Sequence, residues 1–291
     1  MLRAVLTLAL LTSLVPAPAA QAPPSANPWT VRVAPYKVMG NIHYVGTLDL
    51  SSFLITSTQG HVLIDSGVEG NAEAILAGIK TLGFEVEDIR VILTTQAHYD
   101  HVAAFARLKK ESGARLLVSA ADAPLVEDGG KSDYLFGPEA YFPPVKVDAT
   151  VKDGEVVTVG PIALTAHLTP GHTRGDTTWT MDVTDAGGKT RHVVFLGSTS
   201  VNPGTILVNN PKYPGIEADY KRAFEVEKGL TCEVFLAAHG SQFGGPPKSA
   251  AAAAGKGDAA FIDPDGCRAA IERSEKALLA ELAKQKGGAA K

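Results

Sequence analysis

The stretch Thr94-Thr95-Gln96-Ala97-His98-Tyr99-Asp100-His101 places two imidazoles and a carboxylate within four positions. It follows Val91-Ile92-Leu93, an apolar run that reads as a buried strand, and precedes Val102–Lys110, which reads as a helix. Imidazole nitrogen and carboxylate oxygen are usual ligands of zinc. The spacing argues for two ions: His98 and Asp100 alternate along an extended turn, whereas His101 comes one residue later and points elsewhere. A polar strand-to-helix loop with Asp100 as N-cap is the competing reading. It accounts for Asp100 but for neither histidine.

Such a site needs further ligands from distant strand ends. Thr169-Pro170-Gly171-His172-Thr173 and Leu236-Ala237-Ala238-His239-Gly240 each set a histidine just beyond an apolar strand, where open α/β sheets place their ligands. Alone, either histidine could be structural; sharing one geometry with the first motif, both are read as ligands. The expected sets are Gln96, His98 and His172 for one ion, and Asp100, His101 and His239 for the other. Three protein ligands plus water is the open arrangement of a catalytic zinc. Two zinc ions about 3.5–4 Å apart can share a hydroxide of lowered pKa and clamp attacked and departing atoms. Asp100 could also orient that hydroxide, and the chemistry suited is hydrolysis of an acyl or phosphoryl bond. His43, His61 and His192 are read as packing or surface residues, and His167 as structural or as a neighbour supporting His172.

The elements that must position these residues come in the order strands, helices, strands, helices. Strands are expected at Val31–Pro35, Val38–Val45, Ser52–Thr56 and His61–Asp65, with turns at Gly40-Asn41 and Gln59-Gly60. Asn71–Leu82 has helical spacing. After the motif come strand Leu116–Ser119, helix Ala120–Glu127 and a long loop, Asp128–Pro144, of the kind that often serves as a lid. Strands resume at Glu155–Val159, Ile162–Leu168, Thr177–Asp182 and His192–Leu196, with Gly187-Gly188 as a hairpin turn. Helix Asp219–Lys228, strand Glu233–Ala237 and an amphipathic helix Gly266–Gln285 complete the chain, with an alanine-rich stretch inside Gly244–Gly257. Two β-rich halves without a linker predict one α/β domain over residues 23–291: two sheets face to face with helices outside.

The 291 residues, 45% hydrophobic, suffice for a sizeable core. A net charge of −4 with no long basic run gives no footprint for nucleic acid. Met1-Leu2-Arg3, the apolar Ala4–Val15 and the small residues of Pro16–Ala22 read as a signal peptide over residues 1–22, with Ala17-Pro18-Ala19 preferred over Ala20-Gln21-Ala22 as the cleavage site. The expectation is an exported, periplasmic protein with no membrane span in the mature chain. Cys232 and Cys267 are the only cysteines. In an oxidising compartment they read as a disulfide tying the last strand to the C-terminal helix, a buried unpaired pair being the alternative.

These motifs together resemble the metallo-β-lactamase superfamily, whose fold is an αββα sandwich bearing an H-x-H-x-D-H motif, and within it most resemble class B β-lactamases of subclass B3. The resemblance covers the mature chain. It is carried by Gly46-Thr47 with Ser52–Thr56 and Gly60–Gly67, by Thr169–Trp179, by Gly197-Ser198-Thr199-Ser200-Val201-Asn202-Pro203-Gly204, and by Cys232 and Cys267, which match the subclass's disulfide positions. Other subclasses have a zinc-binding cysteine where this chain has serine. Glyoxalase-like and lactonase-like relatives carry a metal-bridging aspartate after the glycine, where this chain has Ser198. The resemblance implies that Ser200 holds a substrate carboxylate and that Ser198 helps order water, a polar turn being the plainer reading of both. It also implies that Asp128–Pro144 flanks the substrate, with Tyr134, Leu135 and Phe136 as apolar contacts.

Gln96 stands where the motif's first histidine belongs. A neutral amide oxygen donates to zinc more weakly than imidazole, so the first site is expected to fill less readily. The resemblance implies zinc-dependent opening of the β-lactam ring of penicillins, cephalosporins and carbapenems, hence antibiotic resistance, by a monomer acting on a small molecule. Two other readings stand beside it: an exported hydrolase of lactones or thioesters, and a non-catalytic zinc- or ligand-binding protein.

Overall fold

The computed structural model describes residues 26–288. The expected leader at 1–22 lies outside them. Strands β1 (Tyr36–Met39), β2 (Ile42–Tyr44), β3 (Phe53–Ile55), β4 (His61–Ile64), β5 (Ile89–Leu93), β6 (Arg115–Ser119) and β7 (Ala149–Val151) form one sheet in that order. Its first four strands run antiparallel. From β4 onward pairing is parallel, because the chain returns through helices: α1 (Ala72–Thr81), then α2 (Tyr99–Val102) with α3 (Phe105–Ser112), then α4 (Ala123–Asp128).

The second sheet holds β8 (Val156–Val159), β9 (Ile162–Leu168), β10 (Thr177–Thr184), β11 (Thr190–Leu196) and β12 (Val234–Ala237), in the order β12-β11-β10-β9-β8. Helix α5 (Ile216–Gly229) carries the chain from β11 to β12, which pair in parallel. Three α-helices follow, α6 (Gly240–Phe243), α7 (Gly245–Ala251) and α8 (Pro264–Gly288), with a π-helical and a 3-10 turn between the last two.

Alternation along the strands divides the core. Phe53, Ile55, Val62, Ile64, Val91 and Leu93 join the cluster that includes Trp179, Phe195 and Leu236 of the second sheet. Leu54, Leu63, Ile92 and Leu116 face the other way, into a cluster with Ile75, Ile79, Phe105 and Leu108 of α1 and α3. A sheet covered on both faces needs apolar side chains at successive positions, which explains the unbroken Val91-Ile92-Leu93. The αββα layering expected from the sequence is what the structure has.

Several local expectations change. Val31–Pro35 makes only an isolated bridge, Arg32 to Thr47. Val38–Val45 holds the end of β1 and all of β2, joined at the expected Gly40-Asn41 turn, where Gly40 at φ 52° reverses the chain. The helix expected at Val102–Lys110 is two helices, α2 starting at Tyr99 and α3 at Phe105. Strand β7 and helix α7, the latter carrying part of the alanine-rich stretch, were not anticipated. Cys232 and Cys267 are disulfide-bonded, linking the residue pair before β12 to α8.

Candidate metal centre

His98 ends the extended segment after β5 with φ −75° and ψ 152°, and its carbonyl accepts the amides of His101 and Val102 to begin α2. Asp100 and His101 therefore lie on a helical turn, not on the extended turn expected of Asp100. The turn still divides the ligand types. Asp100 Oδ2 lies 3.3 Å from His101 Nε2 and 3.5 Å from His239 Nε2. These three side chains have ligand atoms within 4.8 Å of one another, the one such His/Cys/Asp/Glu group among the described residues. His98 turns away to His172, which follows β9, with Nδ1 3.0 Å from His172 Nε2.

His172 Nδ1 lies 2.7 Å from the Ser200 carbonyl, so that nitrogen carries the proton and Nε2 offers a lone pair toward His98. Burial, then the neighbouring His98, pushes the His172 imidazole down to about 3, so it stays neutral. Two bare lone pairs do not face each other at 3.0 Å. Without metal, His98 Nδ1–H donates to His172 Nε2; with metal, the ion takes the place of that proton.

On the other group, burial alone would raise the Asp100 carboxyl, but His101 and His239 bring it well below the usual carboxylate range. Burial alone would lower His239; Asp100 and Asp49 on its two nitrogens more than reverse this, to about 9. His239 Nδ1 meets Asp49 Oδ2 at 3.0 Å, the carboxylate–histidine contact that orients metal-bound imidazoles.

Orphaned buried atoms test whether these residues fit a metal. Gln96 Oε1 and both nitrogens of His101 are buried without a hydrogen-bond partner. Buried polar atoms in native proteins are nearly always satisfied; orphaned atoms also occur elsewhere, on Glu227, Lys248 and Thr205 among others, but these three belong to neighbouring residues able to ligate zinc. The set fits the ion.

The surrounding shell fixes the two groups at strand ends. Asp65 adopts left-handed backbone (φ 58°), and its carboxylate accepts the Thr95 amide and hydroxyl, both at 2.7 Å. It lies 3.8 Å from His101 Nδ1. Asp122 joins three segments: Oδ2 accepts the Ala97 amide at 3.1 Å and the Thr173 hydroxyl at 2.6 Å, and Oδ1 accepts the Gly175 amide at 2.7 Å. The two sheets meet where the Trp179 indole N–H donates to the Thr94 carbonyl at 2.9 Å and the Thr177 amide to the Thr95 carbonyl at 2.7 Å.

The expected substrate residues are placed unevenly. Ser198 is buried, with its amide on Asp176 Oδ2 at 2.9 Å and its hydroxyl 3.2 Å from that of Ser200, which is exposed. Phe136 is partly exposed and stands edge-on to His98, ring centroids 4.9 Å apart. Tyr134 departs from its expected part as a substrate contact. It is 7% exposed, its hydroxyl donates to the His172 carbonyl at 3.0 Å, and the Arg174 guanidinium lies over its ring. His43 and His61 pack on Phe84, and His167 and His192 bond Thr180 and Asp182, away from both groups.

Asp49, Asp65, Asp122, Asp133 and Asp176 were missed as supporting residues. Asp65 and Asp122 each follow a strand and Asp176 precedes one, a faint signal that capping residues share. Trp29, 6.1 Å from Tyr99 and 6.0 Å from His239 by ring centroids, adds an unanticipated aromatic edge.

Comparison with known proteins follows the same lines. Residues 45–239 match the family model described as the metallo-beta-lactamase superfamily. The structure is similar to the native FEZ-1 metallo-β-lactamase from Legionella gormanii, at 41% identity over 88% of this chain and 98% of that one, with a TM-score of 0.86. It is similar also to BJP-1, a subclass B3 metallo-β-lactamase of Bradyrhizobium japonicum, at 38% identity over 90% of this chain and 98% of that one, with a TM-score of 0.83. Among curated sequences, a hydroxyacylglutathione hydrolase from Methylobacterium nodulans is 34% identical over 35% of this chain and 31% of its own length. The chain spans about a third to just over half of the curated relatives it matches. With the αββα layers, the histidines at strand ends and this family match, the chain belongs to the metallo-β-lactamase superfamily.

Proposed function

We propose that the protein hydrolyses the amide of the β-lactam ring in penicillins, cephalosporins and carbapenems, using two zinc ions. Asp100, His101 and His239 would hold one ion, and Gln96, His98 and His172 the other. Bound there, zinc would supply an activated water and electrostatic stabilisation of developing negative charge. The chain's own residues set up the rest. Asp49 and the Ser200 carbonyl fix the tautomers of His239 and His172, leaving one lone pair of each directed inward. Asp100 carries negative charge at the junction of the two groups, where it can accept a hydrogen bond from the attacking water and orient it. The Ser200 hydroxyl is exposed beside Ser198 and suits a substrate carboxylate. Phe136, Tyr99 and Trp29 offer apolar surface to the substrate's side chain.

The observation that carries this reading is Ser198. A carboxylate at that position would bridge the metals of a thioester hydrolase, and here a buried hydroxyl faces Ser200 instead. A thioester or lactone hydrolase remains the second reading, favoured by the partial match to the hydroxyacylglutathione hydrolase. Side-by-side kcat/KM values on a cephalosporin and a glutathione thioester decide between them: the proposal requires the cephalosporin to be preferred, and the reverse order would sink it. We place the enzyme in the periplasm as a monomeric single domain over residues 23–291, after cleavage of residues 1–22. The disulfide is consistent with an oxidising compartment.

A further inference from the structure

Asp133 lies on the segment between α4 and β7, and its side chain is 5% exposed. One carboxylate oxygen, Oδ2, stands 3.3 Å from His98 Nε2. The other, Oδ1, accepts the amides of Leu135 and Phe136 at 2.6 and 2.9 Å, closing a local turn. That turn aims the Phe136 ring at the edge of His98. One side chain thus touches both the histidine and the backbone of the segment that covers it.

We propose that Asp133 is a positioning residue that keeps the proton of His98 on Nε2 and links that choice to the placement of the 129–145 segment. The inference rests on the reading of Gln96, His98 and His172 as a metal group. His172 presents a lone pair from Nε2, 3.0 Å from His98 Nδ1. For both histidines to share a metal ion, His98 must present its own lone pair from Nδ1, so its proton has to sit on Nε2. A carboxylate beside Nε2 favours that tautomer and makes the opposite nitrogen a better donor. The contact is at ion-pair distance rather than in a straight hydrogen bond, and loosely aligned contacts of this kind tighten when a site is engaged. With Gln96 a weak ligand, this support carries more of the first group's affinity than it would beside a third histidine. Displacing the segment pulls Asp133 from His98, so movement of Phe136 and the donor strength of Nδ1 change together.

The test uses the mature chain with Asp133→Asn, Asp133→Ala and Phe136→Ala. Zinc is titrated against a chromogenic chelator, and exchange of the His98 Nε2 proton with solvent is followed by nitrogen–proton NMR of the zinc-loaded protein. Expected are a slowly exchanging Nε2 proton in the wild type and faster exchange in both Asp133 variants. The weaker zinc equivalent should loosen by about 10–100-fold in Asp133→Ala, with the tighter one unchanged. Phe136→Ala should alter KM and neither that exchange nor zinc affinity. Should Asp133→Ala fail to fold, the near-isosteric Asn variant decides. Wild-type affinities for both equivalents, together with unchanged exchange of the Nε2 proton, would overturn the proposal while leaving the two-metal reading intact. A wild type that binds one zinc only would overturn the two-metal reading, and the part of Asp133 with it.

Discussion

His239 and Asp49 stand 190 residues apart in sequence, yet Nδ1 of the one lies 3.0 Å from Oδ2 of the other. In the metal-free protein this contact, with Asp100 on the opposite nitrogen, lifts His239 from 6.5 to about 9. A value raised on folding stabilises the fold fully below the unfolded value of 6.5, and that contribution is lost as pH rises through about 9. Asp49 is depressed against the opposing effect of burial, so its share is lost only in acid. Melting of the metal-free wild type and Asp49→Asn should therefore differ most in mildly acidic solution below pH 6.5 and converge above 9. Zinc uptake near neutral pH should release a proton from His239. A melting difference that does not depend on pH would refute this account of the pair.

Gln96 Oε1 is buried with no hydrogen-bond partner, and an amide oxygen is a weaker zinc donor than imidazole. Gln96→His should tighten the weaker zinc equivalent. Changes one shell further out alter affinity about 10–100-fold, so a gain of at least about tenfold is expected. Unchanged affinity in a chelator competition would show that position 96 is not a ligand.

Asp122 is nearly fully buried and takes donors from Ala97, Thr173 and Gly175. Truncating it strands these groups, each costing about 1–3 kcal/mol when left unsatisfied in the interior. Asp122→Ala should lose about 3 kcal/mol or more in denaturant unfolding. It should also weaken the zinc equivalent held by Gln96, His98 and His172, since Ala97 precedes His98 and Thr173 follows His172. Loss of stability with intact zinc affinity would separate the scaffold from the site.

Ser200 acts through two different atoms. Its carbonyl accepts from His172 and from the Tyr220 hydroxyl, while its own exposed hydroxyl lies 3.2 Å from that of Ser198 and 3.3 Å from His172 Nδ1. Ser200→Ala removes only the hydroxyl. KM for substrates bearing a carboxylate should rise about tenfold, the scale of a hydrogen bond to a charged group, while zinc affinity holds. Loss of zinc instead would mean that the side chain supports His172.

The proposed metal ligands stand out in the sequence because their types are scarce and concentrated. His98, Asp100, His101, His172 and His239 all sit just past apolar strands, and the folded chain brings them together in two groups. Their supports were not legible. Asp49, Asp65, Asp122 and Asp133 are single acidic residues in turns, and sequence alone does not distinguish such a residue from an ordinary cap. What gives Asp49 its part is a fold that returns the chain to it 190 residues later. Tyr134 was misread for a related reason: an aromatic residue in a flanking loop suggests a substrate contact, until its hydroxyl is seen bonded to the His172 backbone. Strand β7 has only three residues and no alternation to announce it, and it exists because β6 offers a parallel edge.

The most direct measurement is turnover of a chromogenic cephalosporin by the purified mature protein, with zinc added stepwise to the metal-free enzyme and then chelated. The account predicts activity that rises with zinc and vanishes with chelator. It also predicts a second, weaker phase as the Gln96–His98–His172 group fills. A folded protein saturated with zinc that leaves the cephalosporin intact would contradict the β-lactam reading and direct the search to thioesters and lactones.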